Sequence, residues 1–140
     1  MVEEDAARTV SQVLSANATF YRAFTRGDFQ AMRGLWAEKA SVSCQHPLSP
    51  TLSGREAVLK SWKEILREPP PLAMRCDEPV VRLFGDVALV SCYEGNGDHP
   101  AHLVATNVFV RETDAWRMVH HQAGPLSNRA RPPSRTSTLN

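Results

Sequence analysis

Five histidines stand in this 140-residue chain, and the placement of three of them bears on chemistry. His46 ends an alternating stretch, Ser41-Val42-Ser43-Cys44-Gln45-His46, and Pro47 follows it. His120 and His121 stand side by side after Trp116-Arg117-Met118-Val119. Imidazole titrates close to neutral pH, so a histidine facing a cavity is a natural general acid or base. A base at His46 could take a proton from the carbon beside a carbonyl. His120 could return that proton or orient the ligand. Asn107 lies within the apolar alternation of 103–110. An amide buried there needs a polar partner, because an unpaired one is costly. That partner is either a ligand, whose enolate oxygen the amide would hold, or a side chain such as Tyr21 or Asn17. Adjacent strand residues face opposite ways, so one of His120 and His121 looks inward, and we expect it to be His120. Glu94 alternates with Cys92 and is a further candidate acid.

Other chemistries lack their motifs. HxH and HExxH spacings, glycine-rich phosphate loops and nucleophile elbows do not occur. Cys44, Cys76 and Cys92 form no CxxC pair and no zinc spacing. They read as small buried hydrophobes, with Cys44 the one candidate for a reactive thiol. No metal and no cofactor are expected. The formal net charge is +1 and no stretch of about 20 apolar residues occurs, so neither nucleic acid nor a membrane is an expected partner. The start, Met1-Val2-Glu3-Glu4-Asp5, is acidic rather than signal-like, and a cytoplasmic protein is expected.

The elements that must position these residues follow from periodicity. Val10, Val13, Leu14, Asn17, Phe20, Tyr21 and Phe24 recur at helical spacing, which predicts a helix over about 6–26 stopped at Gly27. Asp28 then caps a short helix carrying Met32, Leu35 and Trp36. A strand over 41–46 follows, ended by Pro47 and Pro50. Ser53-Gly54-Arg55-Glu56 has capping-box spacing and predicts a third helix with Val58, Leu59, Trp62, Ile65 and Leu66 inward. Pro69-Pro70-Pro71 stops it. Strands are predicted over about 73–84, 87–94, 101–111 and 115–123, joined by short turns that imply antiparallel neighbours. Residues 1–125 therefore read as one domain, and 126–140 as a polar, basic, disordered tail. The expected class is α+β: three N-terminal helices in the concave face of a strongly curved, mixed, mostly antiparallel sheet.

Four segments resemble the nuclear-transport-factor-2-like (NTF2-like) superfamily, the cystatin-like α+β cone, and within it the SnoaL-like and ketosteroid-isomerase-like proteins. They are Phe20-Tyr21-Arg22-Ala23-Phe24 with Gly27-Asp28; Leu35-Trp36-Ala37 with Ala40-Ser41-Val42; Gly54-Arg55-Glu56-Ala57-Val58 with Trp62; and Trp116 through His121. The resemblance spans about 8–124. In ketosteroid isomerases a catalytic Asp precedes a Pro at the end of the first strand. The resemblance puts His46-Pro47 there, or Cys44 if no gap is allowed. The oxyanion-holding acid of those enzymes falls on Asn107, and their oxyanion Tyr on Phe20, with Tyr21 beside it.

The resemblance implies a cone-shaped pocket in which His46, Asn107 and His120 converge. Tyr21, Trp36, Cys44, Trp62, Cys92 and Phe109 would wall it, around a small apolar or aromatic ligand. It implies a cofactor-independent isomerase, cyclase or dehydratase, or else a ligand-binding or assembly module. The outward residues Val104, Thr106, Val108 and Val110 suit a sheet whose back is covered in a homodimer.

Overall fold

The computed structural model describes residues 3–127, and the expectation for the tail falls outside them from 128 onward. In chain order the elements are α1 (Glu3–Arg26), α2 (Phe29–Leu35), β1 (Ser43–Gln45), β2 (Leu52–Ser53), α3 (Arg55–Arg67), β3 (Met74–Phe84), β4 (Val87–Asn96), β5 (Leu103–Glu112) and β6 (Ala115–Pro125).

The helical stripe of α1 buries Val13, Asn17, Phe20, Tyr21 and Ala23 against the sheet. Gly27 ends it at φ +64°, where a Cβ would stand 2.9 Å from the Leu66 carbonyl oxygen, so the turn is closed to any other residue. Asp28 caps α2 by accepting a hydrogen bond from the Ala31 amide at 3.1 Å. Helix α3 buries Val58, Trp62 and Leu66.

The helices lie on a six-stranded sheet of order β2-β1-β6-β5-β4-β3. Strand β1 runs parallel to β6 and the other strand–strand pairings are antiparallel, giving the mixed sheet of an α+β fold. Trp36, Trp62, Phe20, Phe109, Met32 and Met118 fill the space between helices and sheet and are fully buried. Each such side chain contributes roughly 2–3 kcal/mol on leaving water.

The sheet departs from expectation at two places. Ser53 does not form a capping box. It is a sheet residue of β2 opposite Ser43, and α3 starts from Gly54 with no side-chain cap. Ser53 is held in the sheet pairing instead, and the Gly54 amide donates to the Val42 carbonyl. The second departure is a β-bulge in β6. Val108 pairs with His120 and Phe109 with Met118, so Val119 is an extra residue without a partner. An inserted residue reverses alternation beyond it. Trp116 and Met118 face the core as expected, but past the bulge it is His121 and Ala123 that are buried. The expectation that His120 faces inward is thereby overturned: His120 lies on the outer face.

Candidate functional site

Asn17, Tyr21, Glu94, Asn107 and His121 form one connected network of buried side chains. Asn107 is wholly buried in mid-β5. Its amide nitrogen donates to Asn17 Oδ1 at 2.8 Å and to Tyr21 Oη at 3.1 Å. Its carbonyl oxygen accepts from His121 Nδ1 at 2.6 Å. Tyr21 in turn donates to Glu94 Oε2 at 2.6 Å and lies 3.3 Å from the Cys92 sulphur. Asn17 donates onward to the Cys76 sulphur at 3.4 Å. Helix α1 supplies Asn17 and Tyr21 one turn apart, and strands β3, β4, β5 and β6 supply the rest. The amide of Asn107 thus finds both side-chain partners named from the sequence, and a third, His121, that the bulge delivers.

Burial sets the protonation of this network. Glu94 is almost fully enclosed, and desolvation pushes its carboxyl up to about 7 against the opposing hydrogen bond from Tyr21. Burial, then the nearby Glu94 charge, raises the Tyr21 phenol well above its ordinary value, so it remains a proton donor. Burial, with smaller contributions from His46 and His120, lowers His121 to about 3. His121 is therefore neutral at pH 7. Since Asn107 Oδ1 can only accept, the His121 proton sits on Nδ1.

The network reaches the surface at one hollow of about 280 Å³ between α1 and β3, lined by Leu14, Asn17, Ala18, Tyr21, Cys76 and Pro79. Pro79 stands in the irregularity of β3 between Asp77 and Val80, where Glu78 takes φ +52°. Apolar walls with Asn17 and Tyr21 as polar groups are the usual make-up of a small-molecule site.

The other expected site residues are placed differently. His46 is on the same side of the sheet as Asn107, but side chains fill the space between them. The His46 ring packs on Trp62 at 4.9 Å, Trp62 lies 5.8 Å from His121, and Phe20 packs on both at 5.3 and 4.7 Å. His46 Nε2 lies 3.0 Å from Ser61 Oγ, whose proton goes to the Val58 carbonyl, so His46 is the donor of that pair. Burial lowers its pKa. Trp36, Trp62 and Phe109 are core residues with no solvent exposure. Cys44 is buried, and burial raises its thiol to about 12, which does not suit a thiolate nucleophile. Cys92 is buried against Tyr21, its thiol raised by neighbouring Cys76 and by burial. Of the proposed wall residues, Tyr21 lines the hollow. His120 bonds Ser43 and Gln122 on the outer face instead. Sequence reasoning gave Glu94 only a minor place and made His121 the outward member of its pair with His120. The Cys92–Glu94 alternation was the available signal for the first, and nothing in the sequence marks the bulge that turns in the second.

Among the described residues no helix is long and apolar enough to cross a membrane, and no group of three His, Cys, Asp or Glu stands close enough to hold a metal ion.

The family model for the SnoaL-like domain matches residues 13–126, and the chain belongs to this family. An NTF2-like family protein from Streptomyces avermitilis, named as a candidate dehydratase, is 38% identical over 87% of this chain and 99% of its own, with a TM-score of 0.78. A candidate calcium/calmodulin-dependent protein kinase type II association domain from Thiobacillus denitrificans is 34% identical over 80% of this chain and 93% of its own, with a TM-score of 0.67. A candidate ketosteroid isomerase from Parabacteroides distasonis shares the fold at 16% identity, covering 84% of this chain and 87% of its own, with a TM-score of 0.65. No curated protein sequence matches the chain significantly.

Proposed function

We propose that the chain takes a small, largely apolar carbonyl compound into the hollow between α1 and β3 and assists its dehydration or isomerisation by proton transfer, without a cofactor. The observation that carries this reading is the Tyr21–Glu94 hydrogen bond of 2.6 Å behind the wall of that hollow, with the Glu94 carboxyl pushed up to about 7. A carboxyl poised there is populated in both forms at neutral pH, as general acid–base work requires. With Glu94 protonated, its proton bonds the Tyr21 oxygen and frees the phenol O–H for a ligand oxygen. A proton given by Tyr21 to that oxygen is replaced from Glu94. Tyr21 and Glu94, rather than His46 and His120, carry the proton in this reading. The relative named as a candidate dehydratase supports the same reaction class. The test is exchange of α-protons of cyclic ketones and enones in heavy water, followed by NMR. Wild type should accelerate exchange and Tyr21→Phe should not. Absence of exchange, together with no small molecule retained in native mass spectrometry, would sink the proposal.

A second reading is ligand binding or assembly without catalysis. It draws support from Asn107, whose amide protons and oxygen are all engaged by protein side chains. It also draws on the outer face, where Val80 and Phe84 of β3 are 57% and 60% exposed beside exposed Val87 and Val104. A homodimer covering this face would remove that apolar surface from water. Light scattering should then give twice the chain mass, falling to one chain mass in Phe84→Glu. A monomeric wild type at tens of micromolar overturns the dimer. The small-molecule partner and a cytoplasmic location complete the proposal.

A further inference from the structure

We propose that Ser43 is a nucleophilic serine, activated by His120 on the outer face of the sheet, which accepts the acyl group of activated carboxylic esters. Parallel pairing of β1 with β6 sets Ser43 directly beside His120, and the bulge in β6 turns the His120 ring to the same face. Ser43 Oγ lies 2.7 Å from His120 Nδ1, and His120 Nε2 lies 3.3 Å from Gln122 Oε1. The Gln122 oxygen only accepts, so Nε2 carries the ring proton and Nδ1 presents its lone pair. The Ser43 hydroxyl must therefore donate to His120. Hydroxyl, base and orienting group in this sequence are the signature of an activated nucleophile.

Ser43 also lines an open hollow of about 560 Å³ together with Ser53, Gly54, Arg55 and Lys39, so an acyl group has room to approach. The same hollow borders the first turn of α3, which begins without a side-chain cap. Amides of an uncapped first turn lack intrahelical partners and can face a developing oxyanion. None of these residues belongs to the Glu94–Tyr21–Asn107–His121 network, so this inference stands or falls apart from the proposed function.

In the step itself, Ser43 Oγ bonds to the ester carbonyl carbon and its proton passes to His120 Nδ1. The carbon–oxygen bond to the leaving group then breaks, and the departing oxygen takes the proton from His120. Water adds to the acyl-serine in the same way, again through His120, and releases the acid and the free hydroxyl.

The test uses the full chain with p-nitrophenyl acetate, following nitrophenol release and mapping the acetyl group by peptide mass spectrometry. The expected result is acetylation at Ser43, abolished in Ser43→Ala. His120→Asn should slow it by roughly a hundredfold, the scale of one lost general base. Gln122→Ala should lower the rate at unchanged KM and Gln122→Glu should restore it, which a merely structural role would not produce. Should His120→Asn fail to fold, Ser43→Ala at its half-exposed position decides the matter. Acetyl groups confined to lysines, or an acylation rate unchanged in His120→Asn, overturn the proposal.

Discussion

His121 Nδ1 lies 2.6 Å from Asn107 Oδ1, and the two residues are direct partners across β5 and β6. This bond fills the one acceptor of an amide whose donors already serve Asn17 and Tyr21. Asn107→Ala should therefore be severe. It leaves the His121 N–H and the Asn17 oxygen buried and unpaired, at about 1–3 kcal/mol each. A loss of about 3 kcal/mol or more is expected, lowering Tm by about 10 °C in thermal denaturation. A loss below about 1 kcal/mol would mean that water replaces the amide.

The same network predicts a particular pH dependence of stability. Glu94 has a folded pKa raised to about 7, so the folded chain holds a proton that the unfolded chain has lost above 4.5. Its contribution is full below 4.5 and is lost as pH rises to about 7. His121 has a folded pKa lowered to about 3, so its contribution is full above 6.5 and is lost as pH falls toward 3. Between 4.5 and 6.5 the two slopes oppose. Glu94→Gln should remove the first, leaving stability that climbs from pH 3 to 6.5 and then levels. Denaturant titrations at a series of pH values check this. The Glu94 contribution is on the order of 3 kcal/mol across its window. A variant whose pH profile matches the wild type would contradict the raised carboxyl.

Much of this arrangement was open to sequence reasoning, and the gaps have definite causes. Helical spacing put Asn17, Phe20 and Tyr21 on one stripe, and all are buried. Alternation put Asn107 and Phe109 on one face of β5 and the family resemblance turned that face inward, and both are buried there. Alternation failed in β6 because the unpaired Val119 resets its phase, and no residue type announces such an insertion. The pair β1–β2 was missed because the two residues of β2 carry no period of their own. The shared cavity of His46 and Asn107 was also illegible. Whether Phe20, Trp62 and His121 fill a cone depends on how three elements close on one another, which periodicity does not encode.

Tyr21→Phe separates the two functions of the phenol. Tyr21 donates to Glu94, and that bond opposes the effect of burial on the carboxyl. Removing it should raise the Glu94 pKa further above its wild-type value of about 7, because burial is then uncompensated. Carbon-13 NMR titration of the labelled carboxyl reads this directly. The variant also leaves one Asn107 proton unpaired, so a stability loss of about 1–3 kcal/mol is expected alongside. An unchanged or lower carboxyl pKa would show that Tyr21 does not govern Glu94.

Glu112 offers a prediction remote from the interior. At the end of β5 its carboxylate accepts from the amides of Glu38, Lys39 and Ala40 at 2.9, 3.0 and 3.1 Å. Those amide bonds, first that of Glu38, hold its pKa below the ordinary 4.5. A lowered folded pKa gives stability that is present above 4.5 and is lost as pH falls through the folded value. The carboxylate ties the segment after α2 to the β5–β6 turn, and through it the approach to β1. Glu112→Gln keeps one acceptor oxygen and puts two N–H donors where an acceptor stood. The three amides should then exchange with solvent faster while those of α1 keep their protection. Hydrogen exchange at pH 7 measures this, and slow, unchanged exchange at 38–40 would mean that the loop is held by something other than Glu112.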